Sequence, residues 1–510
     1  MALPVHLTYN VAGCDEVSCD YALLVVACDP RELADVIKDH TGHETQVNEK
    51  LVSFTIRTTL HRAKRCPGSK FAVRLNPGAL DSNDYSVYGW RDEVRARKYD
   101  VGERGEAEEK GGEAFVVAYQ MMEEKLVGAD REVVKAKIEE KLEEGLAKSW
   151  THFEVERREA ELLTDYFPHF ELDDLRDGLP WAVLDNQGQR ATLYVSSFTC
   201  FESVLQCKQY GDMLWEQDQV RAVMPGDKDA PIAVIGAGPS GLLFASQQLV
   251  RKGGYTNVTV FEKEGVFGGK TRTVDLTTEE GVVVPCELGT CYLSDAYDDD
   301  LTDLSDMYES GKLEPLGGPN MRSIAETPEA VGSDEEEHGV EFQEWVKRKN
   351  GGEDWKTDLE AQAKVFAALL KYKKIHKAVM GTKYCMPLKK PERRRRLFVD
   401  DDVYEDALCL RFMDFLCKHG MAALEAPFLY TYEVQGYGDI KRIPAYYGLA
   451  WITADLAEGI IRSRLPIIGD GESVFVYDKG WLRLWEKIVE RHADAMKVVL
   501  NANVLSITRD

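Results

Sequence analysis

The sequence predicts an α/β fold built around a doubly wound parallel sheet. Two observations lead to this prediction. A short apolar run at 231–235 is followed by a glycine-rich turn and a helical pattern at 242–250, and a second strand pattern at 257–261 ends in an acidic residue. Strands that alternate with helices in this way form parallel sheets covered by helices. With 510 residues, of which 44% are hydrophobic, the chain is long enough for a large core and about two to four domains.

The charge balance excludes nucleic acid as an expected partner. Eighty-eight acidic residues against 63 basic residues give a formal net charge of −25, which repels a phosphate backbone. The start of the chain has neither the basic stretch nor the long apolar stretch of a secretory signal. The longest apolar runs have the length of strands rather than of membrane-spanning helices. We therefore expect a soluble protein without an integral membrane segment, located either in the cytoplasm or in a compartment that the sequence does not identify.

The cysteines indicate neither a metal site nor disulfides. Eleven cysteines are scattered along the chain, with no C-x-x-C pair and no Cys/His pairing at zinc spacing. Free thiols in a reducing compartment explain this distribution, so no metal is predicted.

The glycine-rich turn has the spacing of a phosphate-binding loop. Gly236 permits a sharp turn after the strand, Gly238 lets the backbone approach a pyrophosphate, and Gly241 lets the helix pack close to the strand. Pro239 and Ser240 lie between them, where the first turn of the helix directs free N–H groups toward the phosphates. The motif by itself is weak, and an ordinary loop is the alternative.

An acidic residue follows the second strand at the distance that such a site requires. Glu262 lies 21 residues after Gly241 and is followed by Lys263. A carboxylate at this place accepts hydrogen bonds from both hydroxyls of an adenosine ribose and repels a 2′-phosphate. A solvated acid at the end of a strand is the alternative.

A second glycine turn with two cations comes next. Gly268 and Gly269 precede Lys270 and Arg272, and Thr273 ends the segment. Such a turn can close over the same pyrophosphate from the other side, and NAD sites do not need this second clamp. The predicted cofactor is therefore FAD, with an NAD-linked dehydrogenase as the alternative.

Segment 262–273 resembles the flavin-containing amine oxidase superfamily, whose members read E-x5-GG[RK]-x-x-[ST] at this place. Lys270 stands where arginine is commoner, and a lysine can neutralise a phosphate without forming two parallel bonds to it. The resemblance implies a Rossmann-type FAD-binding domain, with a parallel sheet and a β-meander, together with an α+β substrate domain.

The resemblance extends to two further segments. At 286–293 (CELGTCYL) it implies that Gly289 and Thr290 lie against the isoalloxazine ring, and an ordinary strand with a bulge glycine is the alternative. At 481–510 it implies that the backbone of Val504 lies by the adenine.

The two halves of that family fold occur in reversed order along this chain. We expect the C-terminal half of an amine oxidase-like domain at 1–217, a linker at 218–230 and the N-terminal half at 231–510. The last part divides into FAD-binding residues 231–294, a substrate or cap insertion at 295–470 and a return to the FAD domain at 471–510. The chain is then either a window or fragment of a tandem protein or a circular permutant, and its halves are able to pair with each other in both cases.

Aromatic residues at 431–451 are candidates for a substrate pocket. Tyr432, Tyr437, Tyr446 and Tyr447 could line an apolar pocket above the flavin, and the alternative is that they belong to the core. No Ser/His/Asp constellation stands out in the sequence, so no catalytic residue is predicted.

The resemblance implies an FAD-dependent oxidoreductase that transfers a hydride from a substrate C–H bond to flavin N5. Three stretches, at 196–204, 268–270 and 436–444, resemble the branch that contains polyunsaturated fatty acid isomerase, and the C-terminal G-x-x-x-G-A of true amine oxidases is not visible. We therefore expect a small-molecule substrate that is long and apolar or unsaturated. The alternatives are a double-bond isomerase with no net redox change and a non-catalytic flavin-binding or scaffold fragment. The oligomeric state is not predicted.

Overall fold

The computed structural model of the chain describes residues 3–66, 73–75, 87–97, 112–122, 131–149, 153–294, 298–315, 323–325, 340–341, 359–381, 401–464 and 474–510. Within them the strands are β1 (Val5–Val11), β2 (Val17–Tyr21), β3 (Leu23–Val26), β4 (Val52–Arg65), β5 (Val73–Leu75), β6 (Val87–Asp92), β7 (Glu113–Met122), β8 (Phe153–His169), β9 (Thr192–Tyr194), β10 (Ile232–Ile235), β11 (Val258–Phe261), β12 (Thr273–Thr277), β13 (Val283–Glu287), β14 (Leu293–Ser294), β15 (Leu313–Pro315), β16 (Ser323–Ala325), β17 (Val340–Glu341), β18 (Val474–Tyr477), β19 (Met496–Val499) and β20 (Ala502–Arg509). The helices span Gly42–Lys50, Glu93–Ala96, Arg131–Ser149, Leu172–Asp177, Leu179–Asp185, Val204–Trp215, Asp218–Val223, Pro239–Leu243 with its π-helical continuation Phe244–Lys252, Asp298–Tyr308, Leu359–Met380, Asp401–Cys409, Phe412–Lys418, Glu425–Val434, Ala445–Trp451, Ala454–Arg464 and Gly480–Arg491. Short 3₁₀ turns lie at Pro30–Leu33, Gln189–Ala191, Ser197–Thr199 and Ala422–Leu424.

A five-stranded parallel sheet has the strand order β19-β11-β10-β3-β9. Strand β10, which precedes the glycine turn, pairs in parallel with β11 on one side and with β3 on the other. Every residue of β3 and β10 is buried, and such continuously apolar strands are typical of a parallel sheet covered on both faces. The prediction of an α/β fold with a doubly wound parallel sheet is confirmed.

This sheet combines strands from both sides of the segment 218–230. Strands β3 and β9 precede that segment, whereas β10, β11 and β19 follow it. The two parts of the chain therefore complete one sheet, in agreement with the expectation that they can pair. Segment 218–230 itself begins with a short helix in which Val220 is fully buried, and the backbone N–H of Thr256 donates to the carbonyl of Lys228 at 3.0 Å.

The remaining large sheets are mainly antiparallel. A three-stranded sheet, β2-β1-β20, pairs the first strand with the last one, with Val5 opposite Arg509. A seven-stranded sheet has the order β17-β16-β5-β6-β7-β4-β8 and is antiparallel except between β16 and β5. The helices of 401–464 pack with helix Leu359–Met380 and with one end of this sheet in the largest apolar cluster. In the part of the chain that the structure describes, no helix has both the length and the apolar character needed to cross a membrane.

A buried ion-pair cluster ties strand β20 to the N-terminal region. The side chain of Arg509 is fully buried, and its guanidinium lies 2.6 Å from Glu44 Oε1 and 3.3 Å from Asp39 Oδ1. The hydroxyl of Tyr194 also donates to Glu44. Although burial opposes ionisation, the hydrogen bonds from Arg509 and Tyr194 lower the pKa of Glu44 to about 2. Glu44 is therefore a largely buried carboxylate that depends on Arg509.

The variant Arg509→Ala is expected to lower the free energy of unfolding by about 3–5 kcal/mol, because it leaves a buried carboxylate without its charge partner. The matched control is Arg190→Ala, which removes an arginine that lies 2.6 Å from the same Asp39 but is 41% exposed. We expect this control to cost less than about 1 kcal/mol. Denaturant unfolding of both variants measures the difference, and equal losses would contradict the role given to Arg509.

Candidate dinucleotide site and adjoining pocket

The glycine turn joins the buried strand β10 to a helix. Strand β10 ends at Ile235, Gly236 has a φ of +103°, and Gly238 precedes the helix that begins at Pro239. A residue with a Cβ rarely adopts the conformation of Gly236. The helix begins at the carboxyl end of the parallel strands, which is where open α/β sheets bind ligands. The strand, turn and helix that the sequence predicts are thus present.

Gly241 allows the helix to lie directly against the turn. A Cβ at this position would lie 2.0 Å from the carbonyl oxygen of Gly236 and 3.0 Å from the Cβ of Ala27, which follows β3. The spacing of the glycines therefore has a steric reason, because only glycine fits between the helix and the two central strands.

The carboxylate of Glu262 faces the glycine turn. Glu262 follows β11, is 8% exposed, and accepts a hydrogen bond on Oε2 from the backbone N–H of Ala237 at 2.9 Å. Its Oε1 accepts from the backbone N–H of Glu264 at 2.9 Å. Each carboxylate oxygen still has a lone pair that can accept a further hydrogen bond. The alternative of a solvated strand-end acid does not describe this buried and oriented group.

The second glycine turn lies against the first. The backbone N–H of Gly268 donates to the carbonyl of Ala237 at 2.8 Å. A Cβ placed on Gly269 would lie 3.0 Å from the Cα of Gly238. The two glycine turns and Glu262 therefore form one contiguous group of backbone and carboxylate at the end of β10 and β11.

Two of the basic residues near these turns, Lys263 and Lys270, form ion pairs with carboxylates. The ammonium of Lys263 lies 2.8 Å from Glu32, and that of Lys270 lies 2.8 Å from Oε2 of Glu202. Arg272 is half-buried, and its carbonyl accepts from the backbone N–H of Leu288 at 2.8 Å. Contact of Lys270 and Arg272 with a pyrophosphate stays a prediction, since the structure pairs Lys270 with an acid instead.

Val504 lies in strand β20, which starts beside the Glu262 turn. The backbone N–H of Ala502 donates to the carbonyl of Glu262 at 2.8 Å, and Val504 pairs with Tyr9 of β1 two residues later. This strand is therefore close to the carboxylate that is expected to hold the ribose.

A pocket adjoins the second glycine turn and encloses about 740 Å³ of space that includes open solvent. Lys270, Gly289 and Thr290 line it together with Tyr437, and the backbone N–H of Thr290 donates to the Lys270 carbonyl at 3.2 Å. The rest of the lining is mostly aromatic and aliphatic. The segment at 286–293 and the GGK turn, which the sequence assigns to one cofactor, thus meet in one place.

Only Tyr437 of the predicted pocket tyrosines lines this pocket. Tyr432 and Tyr446 are buried in the helical core, where the hydroxyl of Tyr432 donates to the carbonyl of Tyr447 at 3.1 Å. The hydroxyl of Tyr447 accepts from the backbone N–H of Phe170 at 3.0 Å. For these three residues the structure agrees with the alternative that aromatic clusters belong to the core.

Sequence reasoning missed several lining residues, among them Arg91, Tyr119, Tyr292 and Trp481. Arg91 belongs to β6, in which all six residues are buried. The signal was present, because a charged residue that directly continues the apolar run 87–90 is unusual in a buried strand. Because further charged residues follow Arg91 along the chain, the sequence also agrees with a solvent-exposed end of the strand.

Arg91, which lines the pocket, also belongs to a cluster of buried charged residues. Its Nη2 donates to Glu93 Oε1 at 2.6 Å, and Arg97 Nε donates to Glu93 Oε2 at 3.3 Å. Arg97 also lies 3.6 Å from Glu287, whose carboxyl accepts from Thr273 Oγ1 at 2.8 Å. Thr273 therefore serves this cluster rather than the glycine turn.

The two acids of the cluster differ in pKa. Burial opposes the charge on both, but Arg91 and Arg97 hold the pKa of Glu93 below its ordinary value. Glu287 has only the more distant Arg97, so burial raises its pKa to about 7. The ionised acid is thus Glu93, and Glu287 readily takes a proton.

The variant Gly241→Ala is expected to destabilise the protein by about 1–3 kcal/mol, because its methyl group would overlap the Gly236 carbonyl. The matched control is Gly226→Ala, since a Cβ at Gly226 would meet no atom within 4 Å. We expect the control to change stability by less than about 0.5 kcal/mol. Thermal unfolding compares the two variants. An unchanged stability of Gly241→Ala would contradict the close contact between Gly241 and the Gly236 carbonyl.

The raised pKa of Glu287 predicts that its contribution to stability falls with rising pH. Between its ordinary pKa of 4.5 and its folded value of about 7, the group is protonated when folded and ionised when unfolded. The free energy of unfolding of the wild type, minus that of Glu287→Gln, should therefore fall by about 1.4 kcal/mol per pH unit across this window. Urea unfolding at half-unit pH steps measures it, and a flat difference would contradict the assignment.

Comparisons with known proteins agree with this geometry. Residues 234–309 match the family described as the NAD(P)-binding Rossmann-like domain. The polyenoic fatty acid isomerase of Ptilota filicina is 29% identical to the chain over 238 residues, which are 46% of this chain and 43% of that protein. The chain thus spans less than half the length of the curated relative that it matches.

Two solved structures are also similar. The CLA-producing fatty acid isomerase from P. acnes is 18% identical, with a TM-score of 0.35, over 54% of this chain and 52% of that chain. Putrescine oxidase bound to putrescine is 17% identical, with a TM-score of 0.35, over 55% of this chain and 56% of that chain. From the family match and the curated relative, the chain contains an NAD(P)-binding Rossmann-like domain and is homologous to a polyenoic fatty acid isomerase, which confirms the fatty acid isomerase-like resemblance drawn from the sequence.

Proposed function

We propose that the chain is an FAD-dependent enzyme of the amine oxidase superfamily that acts on a long, apolar or unsaturated small molecule. The observation that carries this proposal is the contact of the Glu262 carboxylate with the backbone N–H of Ala237, at 2.9 Å. This contact places a buried carboxylate beside the glycine turn that leads into the helix, and binding sites for adenine dinucleotides have this arrangement.

The residues at the two turns fit the cofactor. Glu262 would accept hydrogen bonds from the adenosine ribose, and the backbone at Gly238–Gly241 and at Gly268–Gly269 would hold the pyrophosphate. Gly289 and Thr290 would lie against the flavin ring, at the wall of the pocket that they line. Val504 would lie by the adenine, on the strand that starts beside Glu262.

Bound flavin supplies the redox chemistry by accepting a hydride from a substrate C–H bond. The residues of the chain then have to bind and orient the substrate and exclude water. The aromatic and aliphatic lining of the pocket suits an apolar chain, and Tyr437 and Tyr166 stack at 5.5 Å between ring centroids on its wall. The ion pair of Lys270 with Glu202 holds the GGK turn against the segment that precedes helix Val204–Trp215.

A double-bond isomerase is the second candidate. In that reaction the hydride returns to another carbon of the same substrate, so no electron acceptor is consumed. The name of the curated relative, a polyenoic fatty acid isomerase, favours this form of the reaction over net oxidation.

The purified chain of 510 residues tests the cofactor. We expect a yellow preparation that absorbs near about 450 nm and is bleached under anaerobic conditions by an unsaturated fatty acid rather than by an amine. Bleaching without recovery of a product isomer would favour oxidation, whereas isomer formation without consumption of oxygen would favour isomerisation.

The variant Glu262→Gln is expected to weaken FAD binding about 10- to 100-fold, because it removes charged acceptors from the ribose. Glu264→Gln is the matched control, since Glu264 is exposed and contributes to Glu262 only through its backbone. Flavin content after dialysis measures both. A folded, colourless wild type that ignores added FAD would overturn the proposal in favour of a non-catalytic scaffold, and binding of a nicotinamide dinucleotide instead would favour a dehydrogenase.

A further inference from the structure

Helix Leu359–Met380 has one face in the core and the opposite face exposed. On the inner face the hydroxyl of Tyr372 donates to the carbonyl of Ile452 at 2.6 Å, and His376 Nε2 donates to the carbonyl of Leu449 at 2.9 Å. Both side chains are buried. These contacts hold the helix in place independently of its outer face.

The outer face begins with two exposed apolar side chains. Phe366 is 41% exposed and Leu370 is 55% exposed. They are four residues apart, so they are neighbours on the helix surface. Ala363 and Ala367 are also exposed. Exposed apolar surface forgoes the free energy that burial would give, so this face favours a partner that can cover it.

The same face continues with lysines. Lys371, Lys374 and Lys377 are exposed, and none of them forms an ion pair within the part of the chain that the structure describes. Their neighbour Lys373 differs, because it pairs with Glu458. With about 3.6 residues per turn, the three lysines without an ion pair lie on the same exposed half of the helix as the apolar side chains.

This part of the chain is basic although the protein as a whole is acidic. Of the 33 residues from 364 to 396, twelve are lysine or arginine and one is acidic, whereas the whole chain has a net charge of −25. Residues 382–396 lie outside the described residues, and the surface considered is the helix alone. Most of the chain repels an anionic partner and this segment attracts it, which orients the partner toward the helix.

We propose that the outer face of helix Leu359–Met380 docks the protein onto the surface of a bilayer that contains anionic lipids. This inference goes beyond the proposed function and depends on neither the cofactor nor the pocket. The lysines would meet the charged head groups, and Phe366 and Leu370 would enter the boundary between head groups and acyl chains.

Charge complementarity favours the bilayer over a second copy of the chain. A symmetric dimer through this face would place the same lysines opposite each other, and like charges repel. A bilayer instead supplies a layer of negative charge with an apolar phase directly beneath it. The outer face has the complement of both side by side.

Co-sedimentation of the purified chain of 510 residues with lipid vesicles tests the docking. One set of vesicles contains phosphatidylcholine alone, and the other contains about 30% phosphatidylserine. We expect binding to the anionic vesicles to be about 10-fold tighter or more. Most of this binding should be lost when the salt concentration rises from about 0.1 M to about 1 M.

Two sets of substitutions locate the contact. Lys371→Gln, Lys374→Gln and Lys377→Gln together should weaken binding to the anionic vesicles about 10- to 100-fold, because each lysine adds to the attraction by the membrane. Phe366→Ser together with Leu370→Ser should weaken this binding about 10-fold and leave its salt dependence unchanged.

The matched control lies on helix Arg131–Ser149, which has as many acidic as basic residues. This helix also exposes an apolar side chain, Val133 at 52%, and two lysines, Lys135 and Lys137. The combined variant Val133→Ser, Lys135→Gln and Lys137→Gln should leave binding to both kinds of vesicle unchanged.

Thermal unfolding of the variants separates docking from folding. All the substituted side chains are exposed, so we expect each variant to unfold close to the wild-type temperature. A large loss of stability in the Phe366→Ser and Leu370→Ser variant would show that another part of the chain covers these side chains, and it would overturn the inference.

The binding data can also overturn the inference. Equal binding to both kinds of vesicle, no binding, or unchanged binding in either set of variants would do so. A dimer that the Phe366→Ser and Leu370→Ser variant dissociates, without vesicle binding, would assign the face to a second copy instead. Flavin content is a separate measurement, so a colourless protein that docks contradicts only the proposed function, and a yellow protein that does not dock contradicts only this inference.

Discussion

The parallel pairing of β3 with β10 is the interaction on which the rest of the structure depends. Both strands are buried along their whole length, and they form backbone hydrogen bonds with each other, β3 also with β9 and β10 also with β11. This pairing joins the chain before 218–230 to the chain after it. Without this pairing, the glycine turn and the segment that contains Glu202 would not be held by one common sheet.

The same pairing explains how the pocket is assembled. The wall that holds Lys270, Gly289 and Thr290 belongs to the part of the chain that contains the glycine turns, and Arg91, Tyr119 and Tyr166 belong to the antiparallel sheet of the other part. The contacts between them are polar as well as apolar: Lys270 pairs with Glu202, and the Arg91 guanidinium donates to the carbonyl of Glu287. The pocket is therefore lined by residues of both parts of the chain.

Burying the cluster of Arg91, Glu93, Arg97 and Glu287 costs desolvation energy that apolar side chains would not. A cluster of this kind is weak evidence for stability. It directs a guanidinium toward the pocket, and its acids are held by backbone and Thr273 contacts rather than by solvent. Glu287 links it to the strand that leads into Gly289, so the charge balance of the cluster and the backbone beside the pocket are connected.

The sequence by itself determined the parts that depend on local order along the chain: the apolar strands, the glycine spacing imposed by the tight contact of Gly241, and the acid at the end of β11. Periodicity and steric rules act over a few residues, so these features could be read directly. Only the tertiary structure decided that Lys270 pairs with Glu202. It also decided that Tyr432 and Tyr446 pack in the core, whereas Tyr437 and the buried Arg91 line the pocket. Those outcomes depend on contacts between residues that lie up to about 200 positions apart in the chain. Burial and charge partners decide which of these contacts are stable, and neither can be recognised from a pattern of neighbouring residues.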